Sequence, residues 1–212
     1  MSKHIIWDWN GTLLDDVKAC VDAINRMLAA RQLRTISQQQ YRDIFDFPVK
    51  SYYKRLGFDM QNEDWDSMAK EFHRHYAEHS AKSILRKHAE QTLASLHENK
   101  IPMSILSACE ITILERMLKE HNIRHYFTHV FGLDNLYATS KLDQGRLLIE
   151  KLKLSPKDIL LIGDTNHDHE VANELGIQCI LLTGGHQSEQ RLKSKSKINS
   201  PRELMTTNLL ST

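Results

Sequence analysis

The stretch HIIWDWNGTLLDD, residues 4–16, runs from an apolar segment into an aspartate and then into a Gly-Thr turn. The apolar segment is continuous rather than alternating, as in a strand covered on both faces. Strands of that kind belong to parallel sheets, whose ligands gather at the carboxyl ends. Asp8 stands at such an end. Asn10 stands two residues on, where a second carboxylate would serve as acid and base if Asp8 is a catalytic nucleophile. The chemistry that survives an amide there depends on what the rest of the chain brings alongside.

Four more apolar runs read as buried strands: PMSILSA at 102–108, HVFGL at 129–133, DILLIGD at 158–164 and QCILL at 178–182. Helical patterns separate them from the second run onward. Ile113, Leu114, Met117 and Leu118 share a face, as do Leu147, Leu148 and Leu152, and Val171, Ala172 and Leu175, with Gly176 as a stop. Strand alternating with helix predicts an α/β fold, a three-layer Rossmann-like parallel sheet with right-handed crossovers. Roughly 90 residues between the first two runs carry no strand signal. They hold three apolar stripes: Val17, Val21, Ile24 and Leu28; Val49, Tyr52, Tyr53 and Leu56 between Pro48 and Gly57; and Trp65, Met68, Phe72 and Tyr76. An inserted helical cap over 15–85 explains them, with the core made of 1–14 and 86–212 and a helix at about 86–99 leading into the second strand. LKSKSKINS, 192–200, reads as a solvated basic loop.

With 28 Lys+Arg against 27 Asp+Glu, bulk charge gives no reason to expect a nucleic-acid partner. Cys20, Cys109 and Cys179 are odd in number and widely spaced, as reduced thiols of a cytoplasmic protein would be. No run reaches membrane-spanning length, and the N-terminal apolar run is short and interrupted by aspartate, unlike a signal peptide.

The chemistry-bearing residues fall at strand ends. Asp8 closes the first run, Ser107 the second, and Asp164 and Asp168 follow the fourth in IGDTNHD. Lys141 lies in TSKLDQG, ahead of the helix leading to that strand. Gathered carboxylates need a cation, and oxygen ligands suit Mg²⁺. A hydroxyl and a lysine beside them suit a phosphoryl group, and a carboxylate can be the nucleophile that accepts it.

These segments, in order, resemble the four motifs of the haloacid dehalogenase superfamily: DWNGTLLDD the first, SILSA the second, Lys141 the third and IGDTNHD the fourth. LKEHNIRHYFTHVFGLDN, 118–135, is similar to that family's link between its second and third motifs. The helical insertion is similar to the cap of the subgroup that includes phosphoglycolate phosphatases. The resemblance implies a Mg²⁺-dependent phosphatase acting on a small phosphorylated metabolite. Asp8 would attack phosphorus. The Asn10 backbone carbonyl and Asp164 would hold Mg²⁺ together with Asp8, and Asp168 would bind directly or through water. Ser107 and Lys141 would hold phosphoryl oxygens, Lys141 would restrain Asp8, and amides near Gly11 would add donors.

Asn10 departs from the family's aspartate. An amide cannot exchange a proton at neutral pH, though it can still donate a hydrogen bond. General acid–base catalysis is typically worth roughly 10²–10⁴ in rate. Three readings accommodate the loss. One is a phosphatase for leaving groups that need little protonation, or one using another acid, with His167 and His186 as candidates. Another is a carbon–phosphorus hydrolase resembling phosphonoacetaldehyde hydrolase, with Lys50 or Lys54 forming a Schiff base. The third is a phosphate- or metabolite-binding protein of low turnover. Asn10-Gly11 is also a deamidation-prone pair. Competing plain roles are a helix N-cap for Ser107, helix caps for Asp164 and Asp168, and a solvated lysine for Lys141, which lacks the small and proline residues usual after the motif lysine. His73, His75 and His79 read as a solvated face. Trp7 is expected in the core and Trp9 at the pocket rim.

Overall fold

The computed structural model describes residues 4–205. Six parallel strands form the main sheet. In chain order they are β1 (His4–Trp7), β4 (Met103–Glu110), β5 (Phe127–Leu133), β6 (Ile159–Gly163), β7 (Gln178–Leu182) and β8 (Lys197–Ile198). Their order across the sheet is β5-β4-β1-β6-β7-β8. A separate two-stranded antiparallel ribbon pairs β2 (Leu14–Asp15) with β3 (Ile84–Leu85). Four helices lie between the two ribbon strands: α1 (Val17–Ala30), α2 (Gln38–Ile44), α3 (Val49–Arg55) and α4 (Trp65–Ser80). The remaining helices are α5 (Ala89–Glu98), α6 (Ile111–Glu120), α7 (Leu142–Leu152) and α8 (Asn166–Leu175).

Alternation along β1 builds the three layers. Ile5 and Trp7 join a core with Leu93 and Leu96 of α5 and with Leu114, Met117 and Leu118 of α6. Ile6 points the other way, into a core with Leu148 of α7 and Val171 and Ala172 of α8. α8 ends on Gly176, which takes the left-handed conformation at φ +67°. Between β1 and its neighbours the strand order reverses: the chain moves out to β4 and β5, then returns to β6 on the opposite side of β1. That switch point opens the crevice in which parallel sheets bind ligands, and Asp8 follows β1 directly into it.

The structure corrects three expectations. The 192–200 segment is not only a loop, because Lys197 and Ile198 extend the sheet as β8, with Ile198 buried against it. The second strand runs past Ser107 to Glu110, and it is the Glu110 carboxylate that caps α6. Trp9 is fully buried in the main core rather than at a rim.

Candidate active site

Asp8, Ser107, Lys141, Asp164 and Asp168 converge in one pocket at the carboxyl ends of β1, β4 and β6. Each is buried. Lys141 Nζ lies 2.5 Å from Asp8 Oδ1 and 2.5 Å from Asp168 Oδ1, and donates at 3.0 Å to the carbonyl of Leu106. It is thus a clamp between two carboxylates, not a solvated lysine. Burial alone would lower its pKa, but Asp168 and Asp8 hold it above the usual lysine range. Ser107 Oγ accepts the Cys109 amide at 3.1 Å.

Asp168 has two tasks. Its Oδ2 accepts from the Asp164 and Thr165 amides and from Thr165 Oγ1, closing the capping box that starts α8, while Oδ1 faces Lys141. Burial would raise its pKa, but Lys141 and Thr165 bring it below the ordinary carboxylate value. Asp164 accepts the His186 amide at 2.6 Å. Glycine is required around it, because a Cβ on Gly185 would lie 2.2 Å from Asp164 Oδ2, and one on Gly11, at φ +73°, would lie 2.4 Å from the same atom.

Thr12 is a site residue that the sequence reading left out. Its hydroxyl stands 3.1 Å from Asp8 Oδ2 and 3.0 Å from Asp164 Oδ1. One hydroxyl hydrogen cannot serve both oxygens. Burial raises Asp8 to about 7, offset in part by Lys141 and reinforced by Asp168 and Asp164. Burial likewise raises Asp164 to about 6. Asp8, Asp164 and Asp168 present ligand oxygens within 4.8 Å of one another, more negative charge than Lys141 offsets. A hard divalent cation fits that donor set.

Beside this cluster lies a second network, built on Asp16, which is fully buried. It occupies the N-cap position of α1 but makes no side-chain cap. Instead Oδ2 accepts from Asn10 Nδ2 at 2.8 Å and Tyr76 hydroxyl at 2.8 Å, and lies 3.6 Å from Cys20 Sγ. Oδ1 takes the Gly11 amide at 2.9 Å and faces His186 Nε2 at 3.2 Å. Tyr41 hydroxyl meets His186 Nδ1 at 2.8 Å. Burial would raise Asp16, but His186 and the donors around it carry it below the usual range. Burial would lower His186, but Asp16 brings it up to about 9, an imidazolium at neutral pH. Asp16, Cys20 and His186 could geometrically surround a metal. The hydrogen bonds already filling both Asp16 oxygens make this an anion held by donors.

This network changes the reading of Asn10 and Gly11. The Asn10 amide nitrogen lies 2.8 Å from Asp16 Oδ2 and 3.0 Å from the Tyr76 hydroxyl, so Asp16 and Tyr76 hold the side chain in place. The Gly11 amide is held by Asp16 and is not free for phosphate. Deamidation needs that nitrogen to attack the Asn10 amide carbon, and its hydrogen bond opposes the step.

His186 and His167 both line the pocket. His167 stacks on Phe47 at 4.5 Å between ring centroids, and burial lowers it to about 4, so it is neutral. Lys50 and Lys54 are exposed and line a separate hollow with Pro48 and Met60, away from Asp8. His75 faces Glu71 and His79 faces Asp22, and neither joins a metal-capable cluster among the described residues. No helix among those residues is long and apolar enough to cross a membrane. The network around Asp16 could not be read from local sequence: Asp16 itself resembles a helix cap, and its partners Tyr76 and His186 lie 60 and 170 positions from it.

Residues 5–182 match the family described as haloacid dehalogenase-like hydrolase. A phosphoglycolate phosphatase of Photobacterium profundum is 28% identical over 204 residues, covering 92% of this chain and 89% of that one. One from Vibrio parahaemolyticus is 25% identical over 205 residues, with the same coverage of 92% and 89%. A haloacid dehalogenase-like family hydrolase of Streptococcus pneumoniae superposes with a TM-score of 0.83 at 20% identity over 97% of both chains. Protein tyrosine kinase A of Mycobacterium tuberculosis gives 0.81 at 18% identity, covering 100% of this chain and 99% of that one. At these identities the two structural likenesses concern the fold alone.

Proposed function

The chain belongs to the haloacid dehalogenase-like hydrolases, and we propose that within that family it is a Mg²⁺-dependent phosphomonoesterase working through an aspartyl-phosphate on Asp8. The observation that carries this is the placement of Asp8, clamped by Lys141 at 2.5 Å and set beside Ser107 at the switch point of the sheet. Asp8 attacks phosphorus as the ester oxygen departs. Lys141 favours the ionised form of the nucleophile, holds it in place and offsets charge on the phosphoryl oxygens. The Ser107 hydroxyl, whose oxygen already accepts from Cys109, has its hydrogen to donate to the same group. Asp8, Asp164 and the Asn10 backbone carbonyl would hold Mg²⁺, with Asp168 orienting from behind. The ion, when bound, neutralises negative charge around phosphorus.

The four helices between β2 and β3 act in this reading as a cap that excludes water and selects the leaving group. A phosphate-binding role with little turnover is the second reading, favoured by an amide, held by Asp16 and Tyr76, standing where the family has an acid. The Schiff-base reading loses its lysines, since among the described residues the pocket's one lysine is Lys141.

The test is acid-quenched mass spectrometry during turnover of p-nitrophenyl phosphate with Mg²⁺. One added phosphoryl group on the peptide containing Asp8, absent in Asp8→Asn together with all turnover, is the expected result. Turnover retained in Asp8→Asn refutes the mechanism. Tight phosphate binding without turnover selects the second reading.

A further inference from the structure

We propose, resting on that phosphomonoesterase reading, that the substrate is the phosphate ester of a neutral aromatic alcohol, a phenol or its heteroaromatic equivalent, and that it carries no second anionic group. Three independent features of the pocket lead there.

The first is shape and lining. The whole cavity, its carboxylate end included, has a volume of about 140 Å³, and above Asp8 it is walled by Phe45, Phe47, Tyr52, Trp65, Phe72 and Tyr137. An engineered apolar cavity of about 150 Å³ takes up benzene, so a cavity of this size that also holds the phosphoryl group takes a leaving group no larger than one ring. Rings recognise rings through offset and edge-on contacts. The wall already uses both, with Phe47 stacked on His167 and Phe45 edge-on to Phe47 and Tyr52.

The second is charge. A carboxylate or second phosphate on the leaving group would need a cation, preferably an arginine fork. Among the described residues no arginine lines the pocket, and its one lysine is held by Asp8 and Asp168. His186 is engaged by Asp16. The arginines nearby are also taken: Arg31 by Glu63 and Glu71, Arg42 by the Gly185 carbonyl, Arg86 by the Gly11 and Thr183 carbonyls, and Arg191 by Asp46. A glycolate carboxylate would enter an aromatic wall without a cationic partner. Neutral polar substituents fare better, because the Tyr52 hydroxyl and His167 Nε2 are buried, line the pocket and lack partners.

The third is the leaving oxygen. Position 10 is an amide held by Asp16 and Tyr76, and an amide has no proton to give a leaving oxygen at neutral pH. The Asp8–phosphorus bond forms as the phosphorus–aryl oxygen bond breaks, and the electron pair leaves as an aryloxide spread over the ring. Water later protonates that aryloxide. A second water then attacks phosphorus, the bond to Asp8 breaks, and the products are inorganic phosphate, the Asp8 carboxylate and a proton. An alkoxide has no ring to receive the charge and departs far more slowly without an acid.

The experiment measures kcat/KM with Mg²⁺ for a series of substituted phenyl phosphates, for acetyl phosphate (a good leaving group without a ring), and for 2-phosphoglycolate and glycerol phosphate. Aryl phosphates should exceed 2-phosphoglycolate and glycerol phosphate by at least 100-fold. Acetyl phosphate should show a KM at least 10-fold above the aryl series. Phe47→Ala should raise the aryl KM at least 10-fold with a smaller change in kcat. Phosphoglycolate turned over as well as the aryl series overturns this inference and leaves the phosphomonoesterase standing. An acetyl phosphate KM equal to the aryl values, or an aryl KM unmoved in Phe47→Ala, overturns ring recognition. Failure of every phosphate to turn over, with Asp8→Asn indistinguishable from wild type, refutes the underlying activity and this inference with it.

Discussion

Replacing Asn10 by aspartate restores the carboxylate usual in the family and sets it against Asp16. Asn10 Nδ2 lies 2.8 Å from Asp16 Oδ2, so an isosteric Asn10→Asp would bring two carboxylate oxygens to that separation in a buried site. Two unit charges about 3 Å apart at an effective dielectric of about 20 repel by about 5.5 kcal/mol. The alternative is to keep one proton. Protonating an ordinary carboxylate at pH 7 costs about 4 kcal/mol, from three pH units at 1.36 kcal/mol each. Protonation is the cheaper course, so the variant should hold a shared proton and lose about 4 kcal/mol at pH 7. For a chain of this size that is a fall in Tm on the order of 10 °C. The sign follows from linkage. A folded-state pKa raised above the unfolded one gives a penalty that is absent below about pH 4 and grows as pH rises toward the raised value. Thermal unfolding of wild type and Asn10→Asp from pH 5 to pH 8 should show the gap widening with pH. Asn10→Asp with Asp16→Asn restores one acid and one amide and should recover most of the loss. The double variant should also gain turnover of alkyl phosphates, by up to the 10²–10⁴ typical of acid–base catalysis. A single variant whose Tm matches wild type at pH 8, or a double variant no more stable than the single, refutes the coupling between positions 10 and 16.

Three further outcomes follow from the site. Millimolar Mg²⁺ should raise the Tm of wild type, by up to about 2.7 kcal/mol of stability when the ion stands at 100 times its Kd, and Asp164→Asn should remove the shift in differential scanning fluorimetry. Asp8→Asn should abolish hydrolysis while holding or raising Tm without Mg²⁺, because it relieves a crowded carboxylate that burial pushes to about 7; a collapse in Tm would mean Asp8 is structural. His186, raised to about 9 chiefly by Asp16 against the effect of burial, contributes about 3 kcal/mol that is fully present below about pH 6.5 and lost as pH rises through 9. His186→Gln should therefore flatten the alkaline limb of the Tm–pH curve, and an unchanged limb refutes the ion pair.

The fold was legible where physics is local. Continuous apolar runs marked β1, β4, β5, β6 and β7 because strands covered on both faces have no polar side to show. The ends of those runs located Asp8, Asp164 and Asp168 at one edge. β8 escaped because only Ile198 of its two residues is buried and lysines surround it. The β2–β3 ribbon escaped because two residues per strand carry no period. Ser107 was found, but the strand end was misplaced because Cys109 and Glu110 are half-buried. Trp9 was misjudged because the turn after Asp8 folds its ring back into the core. The deeper omission was Asp16. An acidic residue just before an apolar-periodic helix reads as an N-cap, and only tertiary structure reveals that its oxygens turn inward.

Positions 10 and 16 form a single electrostatic unit, which gives the amide a physical cause. The buried Asp16 carboxylate is stable because it gathers N–H and O–H donors, and Asn10 is one of the nearest. An aspartate at 10 would remove a donor and add a like charge in one change. With Asp16 buried, position 10 favours an amide by several kcal/mol, whatever catalysis would prefer. Asp16 does not take over as the acid, since the donors that stabilise it favour its ionised form, and His186 hands its charge to Asp16 rather than to a leaving group. What remains intact is the part of the site that needs no proton transfer at the departing oxygen: Asp8, its lysine clamp, the Ser107 hydroxyl and the carboxylate cluster. On the proposed reading, a site so constituted acts on esters that depart unaided, and the aromatic wall above Asp8 accommodates leaving groups of that kind. Aspartate and amide exchanged together, by Asn10→Asp with Asp16→Asn, should therefore broaden the substrate range toward alkyl esters and leave ring recognition by Phe47 in place. If the exchange raises aryl and alkyl turnover by the same factor, protonation of the leaving oxygen is not what limits this enzyme.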